Sequence, residues 1–152
     1  MAGDYLGPVN TNPIGPAVIL RYLLEDDAGQ SAIAARLITG KRPVLVTDAV
    51  LMELIWTLRG KKYQLKKPDT IAVILALFQE PNIRFEDGQV AWMALNGYRK
   101  SKPVKSKEAD FTDGLIVNKA KSIAVRKKQR FQGSYTFDTA AQSLPGAKAP
   151  IG

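Results

Sequence analysis

Short apolar runs alternate along this chain with longer segments of helical periodicity, and this alternation most limits the possible folds. The run at residues 43–46 is too brief for a helix and predicts a buried strand, and residues 83–85 and 135–137 predict two more. Strands that alternate with helices usually form a mostly parallel sheet with helices on both faces. We therefore predict an α/β fold, a three-layer α/β/α domain with a mostly parallel central sheet.

Capping residues and breakers mark where the helices begin and end. The pair Thr47-Asp48 is a good N-cap and Gly60 a good stop, so a helix is expected between them, with its apolar stripe at positions 51, 54, 55 and 58. The same signals predict the other helices at residues 18–23, 30–38, 68–79, 89–99 and 110–127, and a short helical turn after Asp138.

The length of 152 residues favours a single domain. Residues 1–17 hold three of the nine prolines and are expected to be irregular, with at most a short strand at 5–9. Residues 18–147 form the rest of the domain, and 148–152 are a tail. The longest purely apolar run, 71–78, is far shorter than the ~18 residues of a membrane span, and no secretory signal is visible. We expect a cytoplasmic protein with no membrane contact.

Two missing residue types exclude whole classes of chemistry. The chain has no cysteine and no histidine, so disulfides, thiolate nucleophiles, imidazole bases and Cys/His zinc sites are excluded. Catalysis would depend on carboxylates, lysine, tyrosine, hydroxyls or an oxygen-bound metal. The net charge of +8 favours an anionic partner, most often a nucleic acid.

Four carboxylates are placed to reach the crevice at the carboxyl edge of a parallel sheet. Asp138 directly follows a predicted strand, Asp110 and Asp113 lie in the first turn of a helix, and Glu53 lies two turns into the helix after the strand at 43–46. Asp113 is the most informative, because at helical spacing it shares a face with apolar residues, and a carboxylate there needs a partner. Two converging carboxylates repel, and Mg²⁺ or Mn²⁺ would offset that repulsion.

Structural explanations exist for each of these acids. Asp110 is a good N-cap, and Asp113 lies in a first turn, where the helix dipole favours negative charge. Asp48 is expected to be a cap and little else. Glu53 points away from the main apolar stripe of its helix, as solvated side chains do, and Asp138 has the residue type that starts turns.

Half of the positive charge, 11 of 22 lysines and arginines, lies between Arg99 and Arg130, with only three acids in that stretch. Metal-assisted phosphodiester chemistry would require acids ringed by cations, with lysines such as Lys119 and Lys121 holding backbone phosphates. The alternative explanation for this stretch is a solvated face that keeps the protein soluble. The alternative for Lys119 and Lys121 is that they lie on the far side of their helix. No aromatic RNA-binding motif is present.

The order of these motifs resembles the PIN-domain nucleases, and within them the VapC toxins of bacterial type II toxin–antitoxin modules. The matching stretches are VILRYLLEDD at 18–27, VLVTDAVLMELIWTLRG at 44–60, ADFTDGLIVNKA at 109–120 and TFDTAAQSLPG at 136–146. The resemblance implies a Mg²⁺-dependent endoribonuclease, a VapB-like antitoxin and a homodimer. It implies that Glu53, Asp110, Asp113 and Asp138 are catalytic, with Glu53, Asp113 and Asp138 as metal ligands.

The family's first aspartate has no counterpart in this chain. One alignment puts Asn10 at that position and leaves five extra residues, 13–17, before Val18. The ungapped alignment instead puts Gly15-Pro16-Ala17 at the motif. Asn10 offers a metal a carbonyl oxygen without the charge, and it cannot act as a base. The resemblance therefore implies a VapC-like ribonuclease by descent, with weakened or lost cleavage.

Two other functions remain open at this stage. A catalytically inactive PIN-like module would keep its antitoxin or RNA binding without cutting, and a basic domain would bind nucleic acid without a metal. Apolar helices at 51–58 and 71–78 would supply an antitoxin groove, although core packing is the simpler explanation of their apolar residues.

Overall fold

The computed structural model describes residues 11–151. Two helices come first, α1 (Pro16–Leu24) and α2 (Ala28–Ile38), followed by β1 (Val44–Val46), α3 (Asp48–Arg59), α4 (Lys67–Gln79), β2 (Ile83–Phe85), α5 (Gly88–Lys100) and α6 (Phe111–Arg126). The chain ends in β3 (Ser134–Tyr135), a 3₁₀ turn (Ala141–Ser143) and β4 (Ala147–Lys148). The α/β class is confirmed.

The two sheets in the described part of the chain are small and parallel. β1 pairs with β2, so that Val44 lies opposite Ile83 and Val46 opposite Phe85, while β3 pairs with β4. Pro13 adds an isolated parallel bridge to Leu45. Two separate two-stranded sheets thus stand where one continuous central sheet was expected.

The carboxyl ends of three chain segments meet at one edge of the first sheet. Ile14 N donates to Leu45 O at 3.0 Å, and Glu86 N donates to Val46 O at 3.0 Å. Because the three segments run in the same direction, Gly15, Thr47 and Glu86 all lie at this carboxyl edge.

The helices follow the capping signals closely. Thr47 Oγ1 accepts a hydrogen bond from Val50 N, and Asp87 Oδ1 accepts one from Val90 N, so these residues begin α3 and α5. The whole predicted stripe of α3 is buried in the main core, as are Ile74 and Leu77 of α4. These buried residues are therefore core, which is the simpler of the two explanations given for them above.

Several predicted boundaries were wrong at the chain ends. α1 begins at Pro16 rather than Val18, because proline is well suited to a first helical turn. β3 ends at Tyr135 and leaves Phe137 87% exposed, so the strand does not reach Asp138. β4 was not expected, and it includes Lys148 of the predicted tail. The strand predicted at 5–9 lies outside the described residues.

No helix between residues 11 and 151 combines the length and apolar character that crossing a membrane demands.

Candidate functional site: the acidic start of α6

Two aspartates lie in the first turn of α6. Asp110 is the N-cap, and its extended backbone (φ −92°, ψ 155°) lets the helix begin at Phe111. Asp113, three residues later, returns to the start of the helix, where its Oδ2 accepts a hydrogen bond from Asp110 N at 2.9 Å. The capping spacing thus brings the two carboxylates together locally.

Arg59, the last residue of α3, reaches this pair from another part of the chain. Its Nη1 lies 3.0 Å from Asp110 Oδ1, and each of the two side chains is 29% exposed. The guanidinium therefore neutralises one of the two aspartates. It also fixes the end of α3 against the beginning of α6.

Asp113 is left with a raised pKa. Its partial burial is the largest cause, and the negative charges of Asp110 and Asp138 raise the pKa further. The hydrogen bond from Asp110 N lowers it but does not offset these effects. No donor reaches Asp113 Oδ1 from residues 11–151, so this oxygen can accept a proton or a ligand.

Asp138 reaches the same neighbourhood from the loop between β3 and β4. Its side chain is exposed, and Oδ1 accepts hydrogen bonds from Ala140 N at 2.9 Å and Ala141 N at 3.1 Å. Asp138 therefore starts the 3₁₀ turn, as its residue type suggested. The charge of Asp138 still raises the pKa of Asp113, so Asp138 both starts a turn and acts on the neighbouring carboxylate.

Glu53 is exposed on α3, between two ion pairs that join this helix to α6. Arg59 contacts Asp110 at one end and Asp48 contacts Lys119 at the other, so α3 and α6 are antiparallel. At helical spacing, Glu53 lies on a different face of α3 from Asp48 and Arg59, the residues that contact α6. It is also not among the groups that raise the pKa of Asp113.

Lys119, a predicted RNA contact, lies instead at the centre of a second charged cluster that the sequence reasoning missed. Its Nζ is 2.9 Å from Asp48 Oδ2 and 2.9 Å from Glu86 Oε2. Asp48 is thus an ion-pair partner as well as the first residue of α3. The available signal was that Asp48 and Glu86 follow neighbouring parallel strands, whose ends share one edge.

The remaining predicted residues have simpler surroundings. Lys121 Nζ donates to Pro145 O at 2.9 Å and lies 5.8 Å from the centre of the Phe131 ring. Asn10 falls outside the described residues. Gly15 is the N-cap of α1, and a Cβ added there would meet no atom within 4 Å. In the ungapped alignment, the family's first aspartate therefore corresponds to Gly15, which has open space around it at the carboxyl edge of the sheet.

The carboxylates fit a loosely held Mg²⁺ better than a closed metal cage. Across residues 11–151, no three acidic side chains are grouped closely enough to hold a metal ion by themselves. Magnesium, however, keeps several waters and is often bound by one or two carboxylates together with substrate phosphates. The free oxygens of Asp113 and Asp138 match that requirement.

Comparison with known proteins yields no family: no family model matches the chain, and no curated protein matches it.

Proposed function

We propose that this chain is a metal-dependent endoribonuclease of the PIN-domain type, similar to the VapC toxins, with the three-layer α/β/α arrangement of that family. The observation that carries the proposal is the acidic start of α6, where Asp113 Oδ2 accepts a hydrogen bond from Asp110 N at 2.9 Å. Burial and the charges of Asp110 and Asp138 raise the pKa of Asp113, and perturbed carboxylates are typical of catalytic sites. The net charge of +8 suits an RNA substrate.

Each carboxylate has a distinct role in this proposal. Asp113 and Asp138 would hold Mg²⁺ or Mn²⁺, with Glu53 approaching from α3 and Asn10 as the family's fourth position. A bound metal would polarise a phosphoryl oxygen and lower the pKa of a water molecule. Asp110, oriented by Arg59, would position the attacking water, and Asp113 would accept its proton at Oδ1.

The partners in the proposal come from the resemblance alone. A VapB-like antitoxin would inhibit the enzyme, and a homodimer would be the active form. Lys119 and Lys121 stay candidate phosphate contacts, although RNA would first have to displace their present carboxylate and carbonyl partners.

A catalytically inactive PIN-like module is the second candidate, and two observations favour it. Gly15 provides no carboxylate at the carboxyl edge, where the resemblance expects the first aspartate. Arg59 also neutralises Asp110. Such a protein would bind RNA or an antitoxin without cleaving RNA.

The test is cleavage of structured RNA by purified protein with Mg²⁺ or Mn²⁺, with EDTA as the control, alongside calorimetric titration with Mn²⁺. We expect slow, metal-dependent cleavage that Gly15→Asp or Asn10→Asp accelerates, because either change restores an acid. Ala17→Asp, at an exposed position nearby, is the matched control. RNA binding without cleavage and without Mn²⁺ binding would establish the inactive module. RNA affinity that is unchanged by EDTA, Glu53→Gln and Asp113→Asn would indicate a basic domain with no metal site.

A further inference from the structure

Two lysine-rich segments that are distant in sequence lie side by side on the surface. Lys67 Nζ donates to Ser101 O at 2.9 Å and to Ser101 Oγ at 3.2 Å, and so joins segment 61–67 to segment 99–107. Neither segment contains an acid, and together they hold nine cations: Lys61, Lys62, Lys66, Lys67, Arg99, Lys100, Lys102, Lys105 and Lys107. We call these nine residues the lysine surface.

The charges of the lysine surface are not neutralised within the described structure. All of its members except Lys67 are exposed. The four ion pairs among residues 11–151 involve none of them. The nearest acids along the chain are Asp69 and Glu108, so the local excess of positive charge is large. A solvated face of this kind costs self-repulsion, which an anionic partner would relieve.

A cleft at one side of the lysine surface connects it to the candidate site. The cleft has a volume of about 500 Å³, and its lining includes Arg59, Lys66, Lys67 and Glu108. Lys67 also lies 5.0 Å from the centre of the buried Tyr98 ring, which helps to fix its position. Arg59 is the arginine that contacts Asp110 at 3.0 Å. An anionic chain in this cleft would therefore lie next to the acidic start of α6.

The backbone around the cleft presents lysines from both segments. α4 begins here, with the exposed Lys66 as its N-cap. On the other segment, Val104 and Lys107 exchange two backbone hydrogen bonds, and the intervening Lys105 and Ser106 have positive φ (50° and 66°). This tight turn holds Lys105 at the tip of a loop in solvent.

The composition of the lysine surface favours a nucleic acid over a membrane. The large apolar side chains that are exposed in the described chain all lie outside segments 61–67 and 99–107, whereas membrane-surface binding needs apolar residues to insert. Lysines without base-reading side chains recognise the phosphate backbone.

We propose that the lysine surface binds the phosphodiester backbone of single-stranded RNA and directs it through the Arg59 cleft to Asp110 and Asp113. The choice of RNA rests on the proposed function, but the binding itself needs neither metal nor catalysis. The proposal adds a phosphate-binding surface distinct from Lys119 and Lys121, which are bound within the chain.

The test measures the affinity of a fluorescent single-stranded RNA in EDTA over a series of salt concentrations. The variant is the triple substitution Lys66→Gln, Lys102→Gln, Lys105→Gln. Its matched control is Lys127→Gln, Lys128→Gln, Arg130→Gln, which removes the same charge from exposed residues at the other end of α6. We expect at least about a tenfold loss of affinity and a salt slope reduced by about 2 in the variant, against under about threefold in the control.

Equal losses of RNA affinity in the two triple variants would overturn the proposal. It would also be overturned if polyglutamate competed with the labelled RNA as effectively as unlabelled RNA of equal charge does. Thermal unfolding of both variants checks that they are folded. Cleavage assays separate the two proposals. Loss of RNA binding only in the variant, with no metal-dependent cleavage by the unmodified protein, supports the lysine surface and contradicts the ribonuclease. Asp113-dependent cleavage combined with equal losses contradicts only the lysine surface.

Discussion

Two charged clusters lie along the same pair of helices, α3 and α6, and they neutralise their acids to different degrees. At the carboxyl edge of the first sheet, Lys119 bonds to both Asp48 and Glu86. At the other end, Arg59 bonds to Asp110, and within residues 11–151 no cation bonds to Asp113. One cluster is internally paired, and the other keeps an unpaired carboxylate.

The pKa values of the acids differ between the clusters in whether a cation opposes their rise. Burial is the largest cause that raises the pKa of Asp48, and Glu86 raises it further, while Lys119 lowers it without cancelling the rise. Lys119, followed by the N–H of Asp48, lowers the pKa of Glu86. Burial raises the pKa of Asp113 too, the charges of Asp110 and Asp138 raise it further, and the one cause that lowers it is the N–H of Asp110 rather than a cation. The Lys119 cluster therefore resembles a structural ion-pair network. In the Asp113 cluster, repulsion between carboxylates remains, as it often does at functional sites.

The largest expected effect is on catalysis. In the proposed ribonuclease, Asp113→Asn should reduce the initial rate of Mg²⁺-dependent RNA cleavage by about 100-fold or more, because the amide can neither accept the proton nor bind the metal as a carboxylate does. Asp48→Asn, in the paired cluster, should change the rate by less than about threefold. Equal losses in the two variants would show that the clusters do not differ in function.

The next effect is on stability. Lys119→Met should lower the free energy of unfolding at pH 7 by about 2 kcal/mol, a value below that of a fully buried pair because the three side chains are partly exposed. Urea denaturation measures it, with Lys121→Met as the control, since Lys121 contacts only a carbonyl and an aromatic ring.

The cost of Lys119→Met should also depend on pH. The lowered pKa of Glu86 contributes stability above the pKa of the unfolded chain and loses it as the pH falls through the folded value. The difference between wild type and Lys119→Met should therefore shrink in acid. A difference that stays constant down to pH 3 would contradict the role of Lys119 as the shared cation.

A smaller effect of the opposite sign is expected at the other cluster. Asp113→Asn should raise the free energy of unfolding at pH 7 by about 1 kcal/mol, because it removes a partly buried charge and retains an oxygen for Asp110 N. Since the pKa of Asp113 is raised on folding, its stabilising contribution is complete below the unfolded value and is lost as pH rises through the folded one. The gain should therefore vanish near pH 3 in urea titrations. Lower stability than wild type at pH 7 would contradict the unpaired state of Asp113.

The regular elements of the fold were predictable because their signals are local. α3 has a threonine cap, a continuous apolar stripe and a glycine stop, and its bounds are as predicted. The strands of the second sheet are two residues long, so they have no periodicity that a sequence pattern could detect. Their positions follow from tertiary contacts alone.

The same distinction applies to the two clusters. Asp110 and Asp113 are three residues apart, so helical geometry alone brings them together. The Lys119 cluster joins residues 48, 86 and 119, and its formation depends on where a long lysine side chain finds partners across the sheet edge. The partnership of Arg59 with Asp110 depends in the same way on the antiparallel packing of α3 and α6.

The smallest expected effect is the coupling energy between the cation and the carboxylate in each cluster. A double-mutant cycle of Arg59→Gln and Asp110→Asn should give a coupling energy of about 0.5 kcal/mol, because this pair is a single, partly exposed contact. The matching cycle of Lys119→Met and Asp48→Asn should exceed about 1 kcal/mol, since Asp48 is the less exposed carboxylate, at 17%. Urea denaturation of all four proteins in each cycle at pH 7 provides the values. Equal coupling energies would mean that the clusters differ in the number of their acids rather than in the strength of their pairing. The raised pKa of Asp113 would then have no consequence for how α3 and α6 are held together.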